Sequence, residues 1–295
     1  MDFVREKIVL FIKAILFLFV MKFFFFSKNN SKISNKKNIL RHPSELFKKH
    51  KLMIEAHRGV NLEVYQNTME AFAKSIDYGL DVIETDAWLT KDKVLVLVHG
   101  GGHWGNIKRY YNISKTVKSL TWKEISKFRT VKDNLKMPRL SDLFKLAKNK
   151  IIINLEIKDP RINITFSHIM KLIEKYDFFE QIYFTSFYFE YYNKTIEYNK
   201  KHNKNIIFEF AYEINDTNYD YTKKGNILSI YNKDITKETC DKAHANGMAV
   251  LASFRNGDKE SGKIYKKLVE DGVDIISVNR PLLAKKFVKY YYKEN

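Results

Sequence analysis

The chain predicts an α/β fold, specifically a (β/α)8 barrel with an N-terminal hydrophobic helix. Three observations carry that expectation. Apolar runs alternate with amphipathic stretches from residue 51 onward. Several of those runs end in an ionisable side chain. The 295 residues also leave room for the roughly 250 that such a barrel takes.

The strand candidates are 52–56, 82–86, 94–98, 151–157, 182–187, 206–212, 227–231, 249–254 and 274–278. Helical patterns lie between most of them. In 68–79, Met69, Phe72, Ala73 and Ile76 share one face; in 166–176, Ile169, Leu172 and Ile173 do; in 261–271, Ile264, Leu268 and Val269 do. Pro138-Arg139-Leu140-Ser141-Asp142 opens another helix carrying Leu143, Leu146 and Ala147, with Ser141 as the expected N-cap. Gly79, Gly247 and Gly272 stand where helices should end.

Repeated strand–helix units imply a parallel sheet buried on both faces. The candidates number one more than a closed eight-stranded barrel needs. Either 94–98 is an extra, hairpin-like strand or one assignment fails. A doubly wound open sheet is the alternative architecture.

Composition sets the class. Hydrophobic residues at 45% and aromatic residues at 15% support a packed globule. A single cysteine, Cys240, permits no internal disulfide and reads as a small buried hydrophobe. Net charge is 52 − 34 = +18, which favours anionic partners, although basic residues are dispersed throughout a chain of biased residue usage. No zinc-finger spacing, recognition helix or RNP-like motif is present, so nucleic acid is not an expected partner. No protein partner is implied.

Residues 8–26 are apolar except Lys13 and Lys22, and at 1.5 Å per residue they span roughly 28 Å, close to the thickness of a bilayer core. The run ends in four phenylalanines with no small-residue cleavage site directly after it. The expectation is a membrane anchor over 1–26, a cleaved signal sequence being the alternative. A basic linker then covers 27–50 and the barrel 51–295. Lys28, Lys32, Lys36, Lys37 and Arg41 outnumber Arg5 and Lys7, which places the barrel in the cytoplasm. Sequons such as Asn112-Ile113-Ser114 point weakly to a luminal or secreted barrel.

The chemistry gathers at strand ends. His57, Glu84, Asp86 and Glu156 all sit where a barrel projects its catalytic groups. Glu84 and Asp86, two apart on a strand, face the same side, so both carboxylates can meet one cation. Oxygen-only ligands suit Mg2+ or Ca2+ better than zinc. Glu156, inside an otherwise apolar strand, is costly unless paired. It becomes a third ligand or, on the plainer reading, the partner of a nearby Lys or Arg.

His57 and His99 are the candidate general acid and base, imidazole being the side chain that titrates near neutral pH. Arg58 can hold a phosphate bidentately, and Lys158 adds a point charge. Gly100, Gly102 and Gly105 have dinucleotide-fingerprint spacing. No helix and acid-tipped strand follow them, so that reading fails. With no G-x-S-x-G elbow in the chain, a lipase oxyanion loop fails too. A loop that lets backbone or substrate approach His99 fits better.

From about residue 52 to 289 the chain resembles the glycerophosphodiester phosphodiesterase family. The resemblance rests on Ala56-His57-Arg58-Gly59, Asn67-Thr68, Glu84-Thr85-Asp86, Val98-His99, Leu155-Glu156-Ile157-Lys158, Gly272-Val273-Asp274 and Asn279-Arg280-Pro281. It implies a (β/α)8 barrel and one divalent cation, Mg2+ or Ca2+, held by Glu84, Asp86 and Glu156. It implies His57 and His99 as the acid/base pair, with Arg58 and Lys158 near the phosphate. The implied reaction is hydrolysis of glycerophosphodiesters to an alcohol and glycerol 3-phosphate. Lysophospholipids are an alternative substrate, and a silent headgroup-binding barrel is a second alternative. Three departures bear on this: Gln66 replaces a usual glutamate, Gly100 a common aspartate and Phe254 a usual tryptophan.

Overall fold

β1 (Met53–Ala56), β2 (Val82–Leu89), β4 (Ile152–Ile157), β5 (Ile182–Thr185), β6 (Ile207–Ala211), β7 (Ile227–Tyr231), β8 (Ala249–Ser253) and β9 (Ile275–Val278) pair in parallel, and β1 closes onto both β9 and β2. That closed ring is the eight-stranded barrel the sequence predicts. β3 (Leu95–Leu97) is the extra strand, antiparallel to the outer half of β2. β2 runs to Leu89, three residues past its expected end, because β3 supplies partners for Ala87, Trp88 and Leu89. The structure, a computed structural model, describes residues 51–102, 104–212, 217–223 and 226–294. The anchor expected at 8–26 and the linker at 27–50 lie outside the described residues. Among the described residues no helix is long and apolar enough to cross a membrane.

The helices that wrap the ring are α1 (Met69–Asp77), α4 (Leu140–Ala147), α5 (Ile162–Tyr176), α6 (Phe189–His202), α7 (Lys237–Ala245), α8 (Gly262–Asp271) and α9 (Pro281–Glu294). Two short helices, α2 (Lys108–Tyr111) and α3 (Trp122–Ile125), fall within the long β3–α4 connection. α1 starts at Thr68, whose hydroxyl accepts from the Ala71 amide at 3.3 Å. Ser141 does not cap α4. Its cap position falls two residues earlier, at Arg139, because Asp142 accepts from the Arg139 backbone amide at 3.4 Å and pairs with its guanidinium at 2.9 Å.

Two apolar layers form the main core. Alternate strand residues Ile54, Ile83, Leu155, Phe184, Phe208 and Leu228 face outward against the helices. Met53, Val82, Ile152, Tyr183, Ile207 and Ile275 fill the lower interior of the ring. Cys240 is buried among the outer residues, and burial pushes its thiol up to about 12, as expected of an inert hydrophobe.

Candidate active site

One cavity of about 320 Å³ is lined by His57, Arg58, Glu84, His99, Glu156 and Lys158, among others. The strand register explains the convergence. Asp86 on β2 lies directly beside Glu156 on β4, and Glu84 sits two residues before Asp86 on the same face. One oxygen from each of these three carboxylates lies within 4.8 Å of the other two. Six of the seven candidate site residues line the cavity, and Asp86 is buried behind it, fully shielded from solvent.

The donor set fits a hard cation. Glu84 Oε1 and Asp86 Oδ1 are buried acceptor oxygens with no hydrogen-bond donor. Burial, reinforced by Asp86, raises the Glu84 carboxyl well above the usual carboxylate range. Burial also lifts Glu156 to about 7, against the pull of Lys158. It would lift Asp86 too, but the charges of Arg58 and Lys158 hold that carboxyl well below its usual range. A divalent ion among three carboxylate oxygens offsets the repulsion that these shifts express. The plainer reading of Glu156 also holds: Lys158 Nζ lies 2.6 Å from Glu156 Oε1 and 3.4 Å from Asp86 Oδ1.

Arg58 follows the end of β1 with a φ of 61°. Its backbone amide donates to Glu84 Oε2 at 2.8 Å, and its Nε lies 3.3 Å from Asp86 Oδ2. Its Nη1 donates to Gln66 Oε1 at 2.9 Å, so the amide at position 66 still orients the guanidinium without adding a charge. Asn67 donates to Asp86 Oδ2 at 2.8 Å and accepts from Thr85 at 2.6 Å. Gly59 turns the chain here. Its φ is +78°, and a Cβ would sit 2.9 Å from that of Ala71.

The two histidines are anchored differently. His57 Nδ1 lies 3.2 Å from Asn279 Oδ1, which also accepts from Asn61 Nδ2 at 2.9 Å. That oxygen only accepts, so Nδ1 carries the hydrogen and Nε2, 4.0 Å from Glu84 Oε2, keeps its lone pair. Burial and the Arg58 charge lower His57 to about 3. His99 Nδ1 lies 2.9 Å from the Tyr110 hydroxyl, and burial lowers its pKa to about 4 against the pull of Asp86. Both rings are therefore neutral near pH 7 and able to accept a proton.

Sequence reasoning did not find Tyr110, Asn61 or the polar layer beneath the carboxylates. In that layer Asn154 Nδ2 donates to Glu55 at 3.0 Å and to Glu209 at 2.6 Å, and Tyr183 donates to Glu55 at 2.5 Å. The signal was available, since Glu55 and Glu209, like Glu156, interrupt apolar strands. Phe254 does line the cavity, its ring 5.9 Å from that of Tyr265.

Comparison with known proteins bears on this site. A glycerophosphodiester phosphodiesterase from Caldanaerobacter subterraneus subsp. tengcongensis is 33% identical over 149 residues, covering 46% of this chain and 58% of the relative. A lysophospholipase D from Homo sapiens is 27% identical over 156 residues, covering 47% and 48%. The chain thus spans about half the length of the curated relatives it matches. Among solved structures, a glycerophosphoryl diester phosphodiesterase from Parabacteroides distasonis superposes with a TM-score of 0.68 at 23% identity, over 85% of this chain and 93% of that one. An Oleispira antarctica phosphodiesterase in complex with sn-glycerol-3-phosphate gives 0.67 at 15%, over 82% and 99%. Both likenesses speak for the barrel. A model of the glycerophosphoryl diester phosphodiesterase family matches residues 57–283, from the first histidine of the site to the start of the last helix. With His57, Glu84, Asp86, His99 and Glu156 converging inside that stretch, the chain belongs to the glycerophosphoryl diester phosphodiesterase family.

Proposed function

We propose that this chain hydrolyses glycerophosphodiesters to an alcohol and glycerol 3-phosphate. The observation that carries the reading is the meeting, in one cavity, of two neutral imidazoles, a carboxylate triad and two cations. Arg58 and Lys158 bind and orient the anionic phosphate. One imidazole takes a proton from the attacking water, whose oxygen forms the new bond to phosphorus; the other, once protonated, gives a proton to the alkoxide that departs as its own P–O bond breaks. A bound phosphate favours that protonation, because it offsets the Arg58 and Lys158 charges that add to burial in lowering His99. Glu84, Asp86 and Glu156 would hold a divalent ion, Mg2+ or Ca2+, which when bound would supply Lewis-acid polarisation of the phosphate. The Caldanaerobacter relative carries the name of this activity.

One observation favours lysophospholipids as a further substrate. Phe187, 64% exposed, lines the cavity and offers an apolar surface to an acyl chain. The human relative named a lysophospholipase D agrees with that reading. Residues 8–26 as a membrane anchor and 27–50 as a basic linker would hold the site near such lipids, with the barrel on the cytoplasmic side. Product analysis on glycerophosphocholine and lysophosphatidylcholine, with and without EDTA, tests these readings. Glycerol 3-phosphate released only without EDTA supports the first. Choline released from the lysolipid alone moves the assignment to the second. Binding without turnover leaves a silent headgroup-binding barrel.

A further inference from the structure

We propose that Tyr110 is the positioning residue for His99, fixing its ring through a hydroxyl that reaches in from the β3–α4 connection. The inference rests on the reading of His99 as a proton-transfer group and goes deeper into it.

His99 is followed by Gly100, Gly101 and Gly102, so the three positions after it offer no side chain to hold the imidazole. Nor does the loop have room for one at the next position. Gly100 has a φ of +62°, and a Cβ there would lie 2.8 Å from Trp88 Nε1 and 2.9 Å from Gly105 Cα. A Cβ on Gly105 would meet Trp88 Cδ2 at 2.8 Å. The glycine loop is therefore folded tightly against Trp88, whose indole N–H donates to the His99 carbonyl at 3.2 Å. That bond fixes the backbone of His99 and leaves the ring to be fixed by something else.

Tyr110 supplies it. Its hydroxyl lies 2.9 Å from His99 Nδ1, and the two rings meet edge to face at 6.2 Å and 61°. The tyrosine is buried, and it packs in a small core with Trp88, Val98, Ile107, Val117 and Ile125. Its backbone is pinned as well: its amide donates to Ile107 at 3.0 Å and its carbonyl accepts from Val131 at 2.9 Å. A hydroxyl held this rigidly selects one ring orientation, with Nδ1 toward Tyr110 and Nε2 left to serve the cavity. Tyr110 does not itself line the cavity, so its effect on the reaction passes through His99. Asn279, just after the neighbouring strand β9, does the same for His57. The segment between β3 and α4 thus supplies both His99 and the tyrosine that holds its ring.

The test compares wild type, Tyr110→Phe and His99→Ala on glycerophosphocholine, and records the ¹⁵N signals of the His99 ring, assigned by their absence in His99→Ala. Phenylalanine keeps the buried ring and removes only the hydroxyl. The expected result is a fall in kcat of about 10-fold, part of what a proton-transfer group contributes. KM should stay within about twofold, since no substrate contact is lost. The His99 signals should change from one tautomer to a mixture. Wild-type kcat with unchanged ring signals would overturn the proposal. Should wild type itself not turn over, the functional reading fails separately, and the ring signals alone decide for or against Tyr110. Should the Phe variant not fold, a difluorinated tyrosine at 110 keeps the shape and lowers the hydroxyl pKa; shifted His99 signals then support the proposal and unshifted ones overturn it.

Discussion

A buried carboxylate oxygen without a donor costs free energy that the fold must offset elsewhere; Glu84 Oε1 is in that state, and Asp86 Oδ1 has only the Lys158 ammonium, 3.4 Å away, to offset it. A cation among the three carboxylates removes the cost at its source. Glu84→Gln keeps the shape but exchanges one anionic oxygen for an amide, so it should weaken the cation dependence of turnover. Titration of metal-stripped protein with Mg2+ or Ca2+ measures this, and a midpoint equal to that of wild type excludes Glu84 from the ligand set. The histidines predict a different pattern. His57→Ala and His99→Ala should each lower kcat by about 10²-fold or more, the lower end of what positioned proton transfer contributes. Circular dichroism should show both variants folded, since each ring lies at the cavity and not in the apolar layers. Full activity in either variant removes that residue from the reaction.

The elements were legible where one physical rule decided them. Strands such as β4 and β7, buried along nearly all their length, are mostly apolar runs in the sequence, and their observed ends fall within a residue or two of the expected ones. The surplus ninth candidate resolved as the antiparallel β3, a matter of pairing that periodicity alone does not encode. The site was legible for the same reason. Strand-end positions select His57 and Glu84 directly, and β2–β4 register brings Asp86 to Glu156. Tyr110 was not legible, because its contact with His99 depends on how an irregular connection folds back against Trp88. Helix caps are similarly local but ambiguous: at α4 an acid three residues in outcompeted the expected serine, while at α1 Thr68 caps as a threonine should. The Thr68 hydroxyl accepts from Ala71 at 3.3 Å and donates to the Tyr65 carbonyl at 2.6 Å, both in buried or half-buried surroundings. Thr68→Ala should therefore cost about 1–2 kcal/mol, read as a lower urea midpoint at unchanged slope. An unchanged midpoint would show that water or a neighbour caps α1 instead.

At the scale of the whole molecule, the polar layer inside the barrel makes global stability depend on pH in an unusual direction. Glu55 and Glu209 are buried, share the Asn154 amide, and face each other across the strand ring. Burial, with the Glu55 charge adding to it, raises Glu209 to about 8, from 4.5 for a free glutamate; burial raises Glu55 as well. The folded chain thus keeps the Glu209 proton over a range in which the unfolded chain has already released it. A group whose pKa is higher when folded contributes its full stability below the unfolded value and loses it as pH rises through the folded one. Stability should accordingly decline between about pH 4.5 and 8 on account of this residue, opposite to the trend set by the depressed carboxyl of Asp159 beside Arg161, which acts at lower pH. Glu209→Gln isolates the effect. Its amide oxygen can accept from Asn154 and from Thr185, which now lie 2.6 and 2.9 Å from Glu209 Oε2, and its NH2 stands in for the proton. Relative to wild type, the Gln variant should gain in urea midpoint steadily from pH 5 to pH 8 and no further above that. A difference between the two proteins that stays constant with pH would mean that Glu209 is ionised in the fold, and that the layer is held by charge and not by a retained proton.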